Sequence, residues 1–200
     1  MNLLYSFHYK ERFKRVIKYL SKFNPKSVKE ICFGDIHIAS YCQKNNISWK
    51  GYEFNPNFID YAIRSGFNVV YSDVSKEKNF INTDVTVIMG SLYHFRDNIE
   101  DFFNIILKST NKAFIISEPV INLSSRNDFI GKLARRLTKV RHGSHEFRYN
   151  RESLEKLIRN LSVKQKFKYQ IHELFRKDLI ISITQMKLLT IILENFFYSI

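Results

Sequence analysis

The sequence is poor in the residues that build turns, disulfide frameworks and metal sites. Its 200 residues include only six glycines, three prolines and two cysteines. So few glycines and prolines argue against a low-complexity chain. Cys32 and Cys42 alone provide neither a disulfide framework nor a zinc site, so we expect a reduced, cytoplasmic setting. No apolar run is long enough to cross a bilayer, and we expect no secretory signal at the start of the chain.

Acidic residues are also scarce, since 19 Asp and Glu oppose 32 Lys and Arg and leave a net charge of +13. The excess is uneven: residues 1–30 carry +6, residues 31–120 carry −2 and residues 121–200 carry +9. Basic flanks around a mildly acidic middle suit an anionic partner, such as nucleic acid, a phosphorylated metabolite or a membrane face. A solvated, lysine-rich surface accounts for the same charges.

The apolar pattern predicts one α/β domain over residues 1–200, because 44% apolar residues are enough for a sizeable core. An amphipathic helix is predicted within an N-terminal segment, residues 1–24. Strands and helices then alternate five times with short connections, which indicates a mostly parallel sheet covered by helices on both faces. The predicted strands cover residues 27–33, 47–53, 67–73, 84–90 and 112–120. Later strands over 163–169 and 178–187 follow each other closely, which predicts an antiparallel final pair at one edge of the sheet.

Acidic residues and glycines recur at the ends of the predicted strands. In open α/β sheets, ligands bind at the carboxyl ends of the strands. An ionised carboxylate there offers two acceptor oxygens, as the two hydroxyls of a ribose require. One such acid alone often only caps the next helix. The order of the five strand ends is what indicates a nucleotide site: Gly34-Asp35, Glu53, Asp73, Gly90-Ser91 and Glu118-Pro119.

The chain from Val28 to Pro119 resembles the class I S-adenosylmethionine-dependent methyltransferases. Their first motif is acid-x-Gly-x-Gly-x-Gly, where this chain has Glu30-x-Cys32-x-Gly34-x-Ile36. The stretches "GYEFNPNFIDYA", "YSD" and "DVTVIMGSLYHF" are similar to the second, third and fourth motifs, and "HEFRYNRESLEKLI" is similar to the segment before the last helix. The resemblance implies a three-layer Rossmann-like methyltransferase sheet. Its antiparallel final strand pair separates it from an all-parallel dinucleotide-binding fold.

The resemblance implies S-adenosylmethionine as the cofactor. Gly34 would let the backbone approach the methionine part, Glu53 would hold the ribose, and Asp73 would hold the adenine amine. Cys32 and Ile36 replace two glycines of the motif. Because Ile36 is β-branched and disfavours a positive φ, the turn must use a conformation open to ordinary residues there. The full set of implied cofactor-binding residues is Glu30, Gly34, Asp35, Glu53, Phe54, Asp73, Val74, Met89, Gly90 and Ser91.

Methyl transfer requires mainly in-line positioning, and a base is needed only for a hydroxyl-type acceptor. His94 and His145 are the predicted catalytic residues, with His142 and Glu118 as further candidate bases. Histidine suits the role because its ordinary pKa lies near neutral pH. His94 is equally well interpreted as a packing residue. We predict no metal site, since the histidines form no helical i, i+4 pair.

Residues 121–150 are predicted to form an inserted lid or substrate segment. Within them, a helix over 127–141 separates apolar from basic residues, which suits an anionic membrane surface, a phosphate, or an ordinary helix on the core.

The predicted function is S-adenosylmethionine-dependent methyl transfer to a small-molecule or carrier-linked acceptor, such as a glycan or lipid precursor. The chain lacks the "N/D-P-P-Y/F/W" tetrapeptide common in amino-directed nucleic-acid methyltransferases. One alternative is an RNA methyltransferase that uses the basic flanks. Another is a non-catalytic pseudo-methyltransferase that acts as an interaction module. A nicotinamide-dependent oxidoreductase fits the final strand pair poorly. The oligomeric state is left open.

Overall fold

The structure, a computed structural model, describes residues 3–121 and 147–186, with side chains described from Tyr9 onward. The described α-helices are α1 (Leu3–Ser21), α2 (His37–Lys44), α3 (Pro56–Arg64), α4 (Ile99–Lys108) and α5 (Arg151–Gln165). The described strands are β1 (Ser27–Ile31), β2 (Ser48–Glu53), β3 (Val69–Tyr71), β4 (Thr83–Met89), β5 (Thr110–Pro119), β6 (Phe167–Phe175) and β7 (Asp178–Gln185). Short 3₁₀ helices span Val74–Lys76 and Leu92–Asn98.

The seven strands form one sheet in the order β3-β2-β1-β4-β5-β7-β6. Strands β1 to β5 are parallel, whereas β7 runs antiparallel to β5 and β6 antiparallel to β7. This arrangement confirms the predicted fold class and the antiparallel final pair. The sheet starts at β1, winds outward to β3 and then returns to β4 beside β1. The carboxyl ends of β1 and β4 are therefore neighbours at the point where the winding reverses, which is where open α/β sheets bind ligands.

Both faces of the sheet are covered by apolar helix faces. On one face, Phe103 of α4 and Ile158 of α5 pack with Phe114 of β5. On the other face, Val16 of α1 and Ile38 of α2 pack in a second cluster. Strand β4 lies between these two layers and is buried along most of its length, as its nearly continuous apolar sequence predicts.

Local capping fixes where two of the helices begin. Asn55 accepts a hydrogen bond from Asn57 N at 3.0 Å, and Pro56 takes the first position of α3. At α5, Asn150 and Ser153 bond reciprocally, with Ser153 N donating to Asn150 Oδ1 at 2.8 Å and Asn150 N donating to Ser153 Oγ at 2.9 Å.

The predicted strand over 163–169 is wrong in its first half. Helix α5 continues to Gln165 and ends at Lys166, whose φ of 54° is left-handed, and β6 begins only at Phe167. The short alternation in "VKQKFKY" was outweighed by apolar positions Leu154, Ile158 and Leu161, which keep α5 on the core for a further turn. Helix α1 begins at Leu3, five residues before its predicted start at residue 8. The predicted helix over 127–141 lies outside the described residues.

No helix in the two described ranges has both the length and the apolarity that a bilayer crossing requires. Cys32 and Cys42 are both free thiols.

Candidate functional site

The loop after β1 contains a backbone conformation typical of glycine, although Cys32 and Ile36 stand where the motif has glycines. Cys32 has φ of +53°, in the left-handed region that favours glycine. Its N–H donates to Tyr52 O at 2.8 Å and ties the turn to β2. Ile36 has φ of −99°, an ordinary value, as the sequence predicts for a β-branched residue. The left-handed conformation of the turn therefore lies at Cys32, and Ile36 has an ordinary backbone conformation.

Gly34 lies at the open side of this loop. A Cβ added there would have Tyr9 Oη, at 4.0 Å, as its nearest neighbour. Gly34 is exposed, and its φ is not in the positive range. The residue is therefore free of packing demands, and space exists for a ligand to approach its backbone.

Beside this space, Asp35 Oδ1 accepts a hydrogen bond from Ile36 N at 2.6 Å, and Asp35 Oδ2 lies 3.8 Å from His37 Nε2. Glu30, the first acid of the motif, is buried within β1 and accepts a hydrogen bond from Trp49 Nε1 at 3.1 Å.

Glu53 ends β2 with its carboxylate fixed from one side. Its Oε1 accepts hydrogen bonds from the backbone N–H groups of Phe54 and Asn55, both at 2.9 Å. Burial raises the pKa of Glu53, while these two bonds lower it. Because both bonds go to Oε1, the second oxygen is the one that a ligand could use. Phe54, the next residue, leaves 58% of its surface exposed, which is unusual for a large aromatic side chain.

Asp73 follows β3 and caps the 3₁₀ helix that begins at Val74. Its Oδ1 accepts from Ser75 Oγ at 2.6 Å, and Oδ2 pairs with Lys76 Nζ at 2.8 Å. The bonds from Lys76 and Ser75 lower the pKa of Asp73 and keep it ionised. The side chain of Val74 is buried in the core, so only its backbone is left for a ligand.

The turn after β4 lies against helix α1. Gly90 has φ of +65°, and a Cβ there would lie 2.9 Å from Arg12 Nη2. Arg12 is held in place by Ser117 O, which its Nη2 reaches at 3.0 Å, and by Asp178, whose Oδ2 lies 3.2 Å from Nε. Helix α1 is thereby fixed across the ends of β4, β5 and β7. On either side of Gly90, Met89 is partly buried and Ser91 Oγ lies 3.4 Å from Met89 O.

Glu118 is fully buried at the end of β5. Its Oε2 accepts a hydrogen bond from Leu92 N at 3.0 Å, which fixes the start of the segment after β4. Burial raises the pKa of Glu118 to about 7, against the opposing effects of the Leu92 bond and of the positive charges of Arg12 and Arg148. A carboxyl group with such a pKa can accept or release a proton near neutral pH.

The two predicted catalytic histidines differ in what the structure describes. His94 is exposed in the 3₁₀ helix after β4, and its ring centroid lies 4.0 Å from that of Tyr93. His145 and the further candidate His142 lie outside the described residues, as does the helix predicted over 127–141. Within the described ranges, no three His, Cys, Asp or Glu side chains are grouped so that they could hold a metal ion.

Sequence reasoning did not find the contributions of Tyr9, Arg12 and Arg148. Tyr9 Oη lies 3.5 Å from Gly34 O, and burial together with the nearby Asp35 raises its pKa to about 12. One signal for Arg12 was available, because residues 9, 12, 16 and 19 form a single helical stripe of otherwise apolar residues. A lone arginine in such a stripe indicates a buried charge partner. No comparable local signal marks Arg148.

The site as a whole is acidic around its centre. The thiol of Cys32 has its pKa raised by burial and by the negative charges of Glu53, Asp73 and Glu118. Three carboxylates therefore surround the loop after β1 from the ends of β2, β3 and β5. Such an arrangement favours a cationic ligand with a polar, hydroxyl-bearing part. The residues present fit S-adenosylmethionine, whose sulfonium is positive and whose ribose carries two hydroxyls.

The sequence matches no protein-family model and no curated protein. Solved structures share its fold. The methyltransferase domain of bacterial CtHen1 is 16% identical, with a TM-score of 0.68 over 88% of this chain and 99% of that one. A SAM-dependent methyltransferase from Archaeoglobus fulgidus is 16% identical, with a TM-score of 0.62 over 92% of this chain and 100% of that one.

Magnesium protoporphyrin IX methyltransferase from Synechocystis PCC 6803, solved with bound S-adenosylhomocysteine, is 9% identical. Its TM-score is 0.63, over 93% of this chain and 89% of that one. At these identities the likeness concerns the fold. The chain has the Rossmann-like fold of the class I methyltransferases.

Proposed function

We propose that this protein is an S-adenosylmethionine-dependent methyltransferase. The observation that carries the proposal is the loop of residues 32–36. Cys32 adopts a left-handed conformation that costs an ordinary residue about 1 kcal/mol or more. The loop thereby keeps an open backbone at Gly34 beside the carboxylate of Glu53. Strained backbone conformations cluster at ligand sites, so this turn supports a role for the loop in binding a cofactor.

In this proposal, Gly34 faces the methionine part of the cofactor, Glu53 Oε2 receives the ribose hydroxyls and exposed Phe54 packs against the adenine. Asp73 and Val74 border the adenine side, while residues 89–91 line the turn opposite. The cofactor supplies an electrophilic methyl group on a sulfonium. Glu30 supports the turn through Trp49, while Asp35 restrains Ile36. His94 and His145 are proposed to contact the acceptor.

The proposed acceptor is a small molecule or a carrier-linked one, such as a glycan or lipid precursor. The names of structural neighbours support a small acceptor, since they include magnesium protoporphyrin IX methyltransferase and a plantazolicin methyltransferase in complex with a desmethyl analogue. A cytoplasmic location is part of the proposal and rests on the two free thiols.

Calorimetry with S-adenosylhomocysteine tests the proposal. We expect micromolar binding that falls about tenfold or more in Gly34→Ala and in Glu53→Gln. Gly34→Ala is informative because a methyl group there meets no packed atom, so the variant should unfold at the same temperature as the wild-type protein. Glu152→Gln, an exposed change on α5, is the matched control for Glu53→Gln. Absence of binding to the folded wild-type protein would favour the pseudo-methyltransferase.

An RNA acceptor is a second candidate, favoured by the lysines of α1. Lys10, Lys14 and Lys18 are exposed at four-residue spacing along one helix face, and Lys22 continues the row directly after the helix. Phosphate contacts release counterions, so RNA binding through this row should weaken steeply with salt. Filter binding of a single-stranded RNA at rising salt would measure it. Loss of all RNA binding on Lys14→Glu/Lys18→Glu would support the row, and salt-independent retention would speak against it.

A further inference from the structure

A group of four charged side chains, two buried and two partly buried, adjoins the proposed site. Glu118 ends β5, Asp178 begins β7 opposite Pro119, Arg12 comes from α1, and Arg148 lies just before α5. The charges of Arg12, Arg148 and Asp178 all act on the pKa of Glu118, so the four groups lie close together. Two positive and two negative charges balance each other.

Each of the four side chains has one buried polar atom without a hydrogen-bond partner among the described residues: Arg12 Nε, Asp178 Oδ1, Glu118 Oε1 and Arg148 Nη1. Arg12 and Asp178 nevertheless form an ion pair at 3.2 Å, and Arg12 Nη2 donates to Ser117 O at 3.0 Å. Of the unpaired atoms, Glu118 Oε1 and Arg148 Nη1 belong to the side chains outside that ion pair. A buried polar atom left unpaired costs on the order of 1–3 kcal/mol. A ligand that supplies both a donor for Glu118 and an acceptor for Arg148 would recover that cost.

Glu118 and Arg148 both contact the segment after β4. Glu118 Oε2 holds Leu92 N at 3.0 Å, and the Arg148 guanidinium carbon lies 3.3 Å from the ring centroid of Tyr93. The guanidinium of Arg148 therefore lies over the Tyr93 ring, and its planar fork of N–H groups is suited to pair with a planar carboxylate. Leu92 and Tyr93 directly follow the turn that faces the proposed cofactor site.

We propose that Glu118 and Arg148 form the acceptor subsite, and that the acceptor is a small molecule with a hydroxyl or amine nucleophile and an ionised carboxylate. This rests on the proposed function. Arg148 binds the carboxylate, and Glu118 Oε1 accepts the proton of the nucleophile. In the transfer, that proton passes to Glu118, the nucleophilic oxygen or nitrogen forms a bond to the methyl carbon, and the sulfur–methyl bond breaks to leave a neutral thioether.

Charge balance supports this assignment. A bound carboxylate adds one negative charge to a neutral group, and protonation of Glu118 restores neutrality. In the complex with S-adenosylhomocysteine, which carries no sulfonium charge, binding should therefore raise the pKa of Glu118 above about 7 and draw in a proton. In the reacting complex the positive sulfonium would balance the carboxylate instead, so Glu118 stays ionised and can accept the proton of the nucleophile. The charged and titratable groups that act on Glu118, or on which it acts, come from several elements: Arg12, Asp178, Arg148, Tyr93, Tyr149 and Cys32.

Matched pairs of hydroxy acids and their amides test the subsite. Glycolate with glycolamide, and para-hydroxybenzoate with para-hydroxybenzamide, are titrated by calorimetry into the protein saturated with S-adenosylhomocysteine. We expect at least one acid to bind about tenfold or more tightly than its amide. Arg148→Gln should abolish the preference, while Arg151→Gln, an exposed arginine paired with Glu155 at 2.7 Å, should keep it. Equal binding of acid and amide in every pair, or a preference that survives Arg148→Gln, would overturn the proposal.

Proton uptake tests Glu118 separately. Repeating the titration in buffers of different ionisation enthalpy near neutral pH should show proton uptake with the acid in the wild-type protein and none in Glu118→Gln. Uptake that persists in Glu118→Gln contradicts the role of Glu118. The cofactor titration distinguishes the two proposals. If the protein prefers the acids but does not bind S-adenosylhomocysteine, the proposed methyltransferase function is refuted and the carboxylate subsite is not. If it binds S-adenosylhomocysteine without preferring the acids, only the subsite is refuted.

Discussion

At the scale of single residues, the left-handed backbone of Cys32 should determine which substitutions at this position preserve stability. At an ordinary position, alanine stabilises a protein relative to glycine by about 0.4–1 kcal/mol. At φ of +53° that order should reverse, because alanine retains the left-handed strain and glycine does not. We expect Cys32→Gly to be at least as stable as Cys32→Ala in urea unfolding. The same pair of changes at Ser65, where φ is −87°, should show the ordinary order. A more stable alanine at both positions would contradict the account.

Glu30 should make stability depend on pH. Burial raises its pKa from 4.5 to about 8, so the folded protein holds this proton more tightly than the unfolded chain. The contribution of Glu30 to the free energy of unfolding should therefore be lost as pH rises from about 5 to about 8. Glu30→Gln keeps an acceptor for Trp49 Nε1 but removes the titration, so its pH slope should be shallower in urea titrations. Some slope should persist, because Glu118 acts in the same direction up to about pH 7. Identical slopes in variant and wild type would exclude this role.

At the scale of elements, Gly90 and Arg12 together hold helix α1 against the sheet. Gly90→Ala and Gly66→Ala place alanine at φ of +65° and +82°, so both should cost about 1 kcal/mol. Only the change at Gly90 also displaces Arg12, whose Nη2 would lie 2.9 Å from the new Cβ, whereas Gly66 has no atom within 4 Å. We therefore expect Gly90→Ala to lose about 1 kcal/mol more and to speed proteolysis within α1. Equal losses at the two glycines would show that Arg12 does not anchor the helix.

The elements themselves were largely predictable because their signals are local. The apolar run of β4, the proline at the start of α3 and the close spacing of the last two strands each identify a neighbouring structure within a few residues. The boundary between α5 and β6 was not predictable from alternation alone. Packing of Leu161 against the core extends the helix there.

At the scale of the whole molecule, contacts between distant segments could not be predicted from the sequence. Lys29 sits in a strand and is fully buried, because its ammonium reaches Ile81 O at 3.1 Å and Ser109 Oγ at 2.6 Å. Burial lowers its pKa to about 7. Two further contacts also join distant segments: Arg12 pairs with Asp178, and Arg148 lies over the ring of Tyr93. No spacing rule links such pairs, since they depend on how the sheet is wound.

The features of the candidate site likewise separate into those that local sequence predicts and those that depend on the final fold. Motif order located Glu53, Asp73 and the turn at Gly90, because strand ends in a parallel sheet share one edge. The left-handed backbone of Cys32 could not be read from its identity, since cysteine gives no preference for that region. The buried charges around Glu118 likewise required the final fold.

A crystal structure after soaking with S-adenosylhomocysteine tests the central claim most directly. The account predicts difference density over Gly34, with the ribose hydroxyls within hydrogen-bonding distance of Glu53 and the adenine between Phe54 and Asp73. Ligand density at another place, or a site that stays empty in crystals where Gly34 is open to solvent, would contradict it.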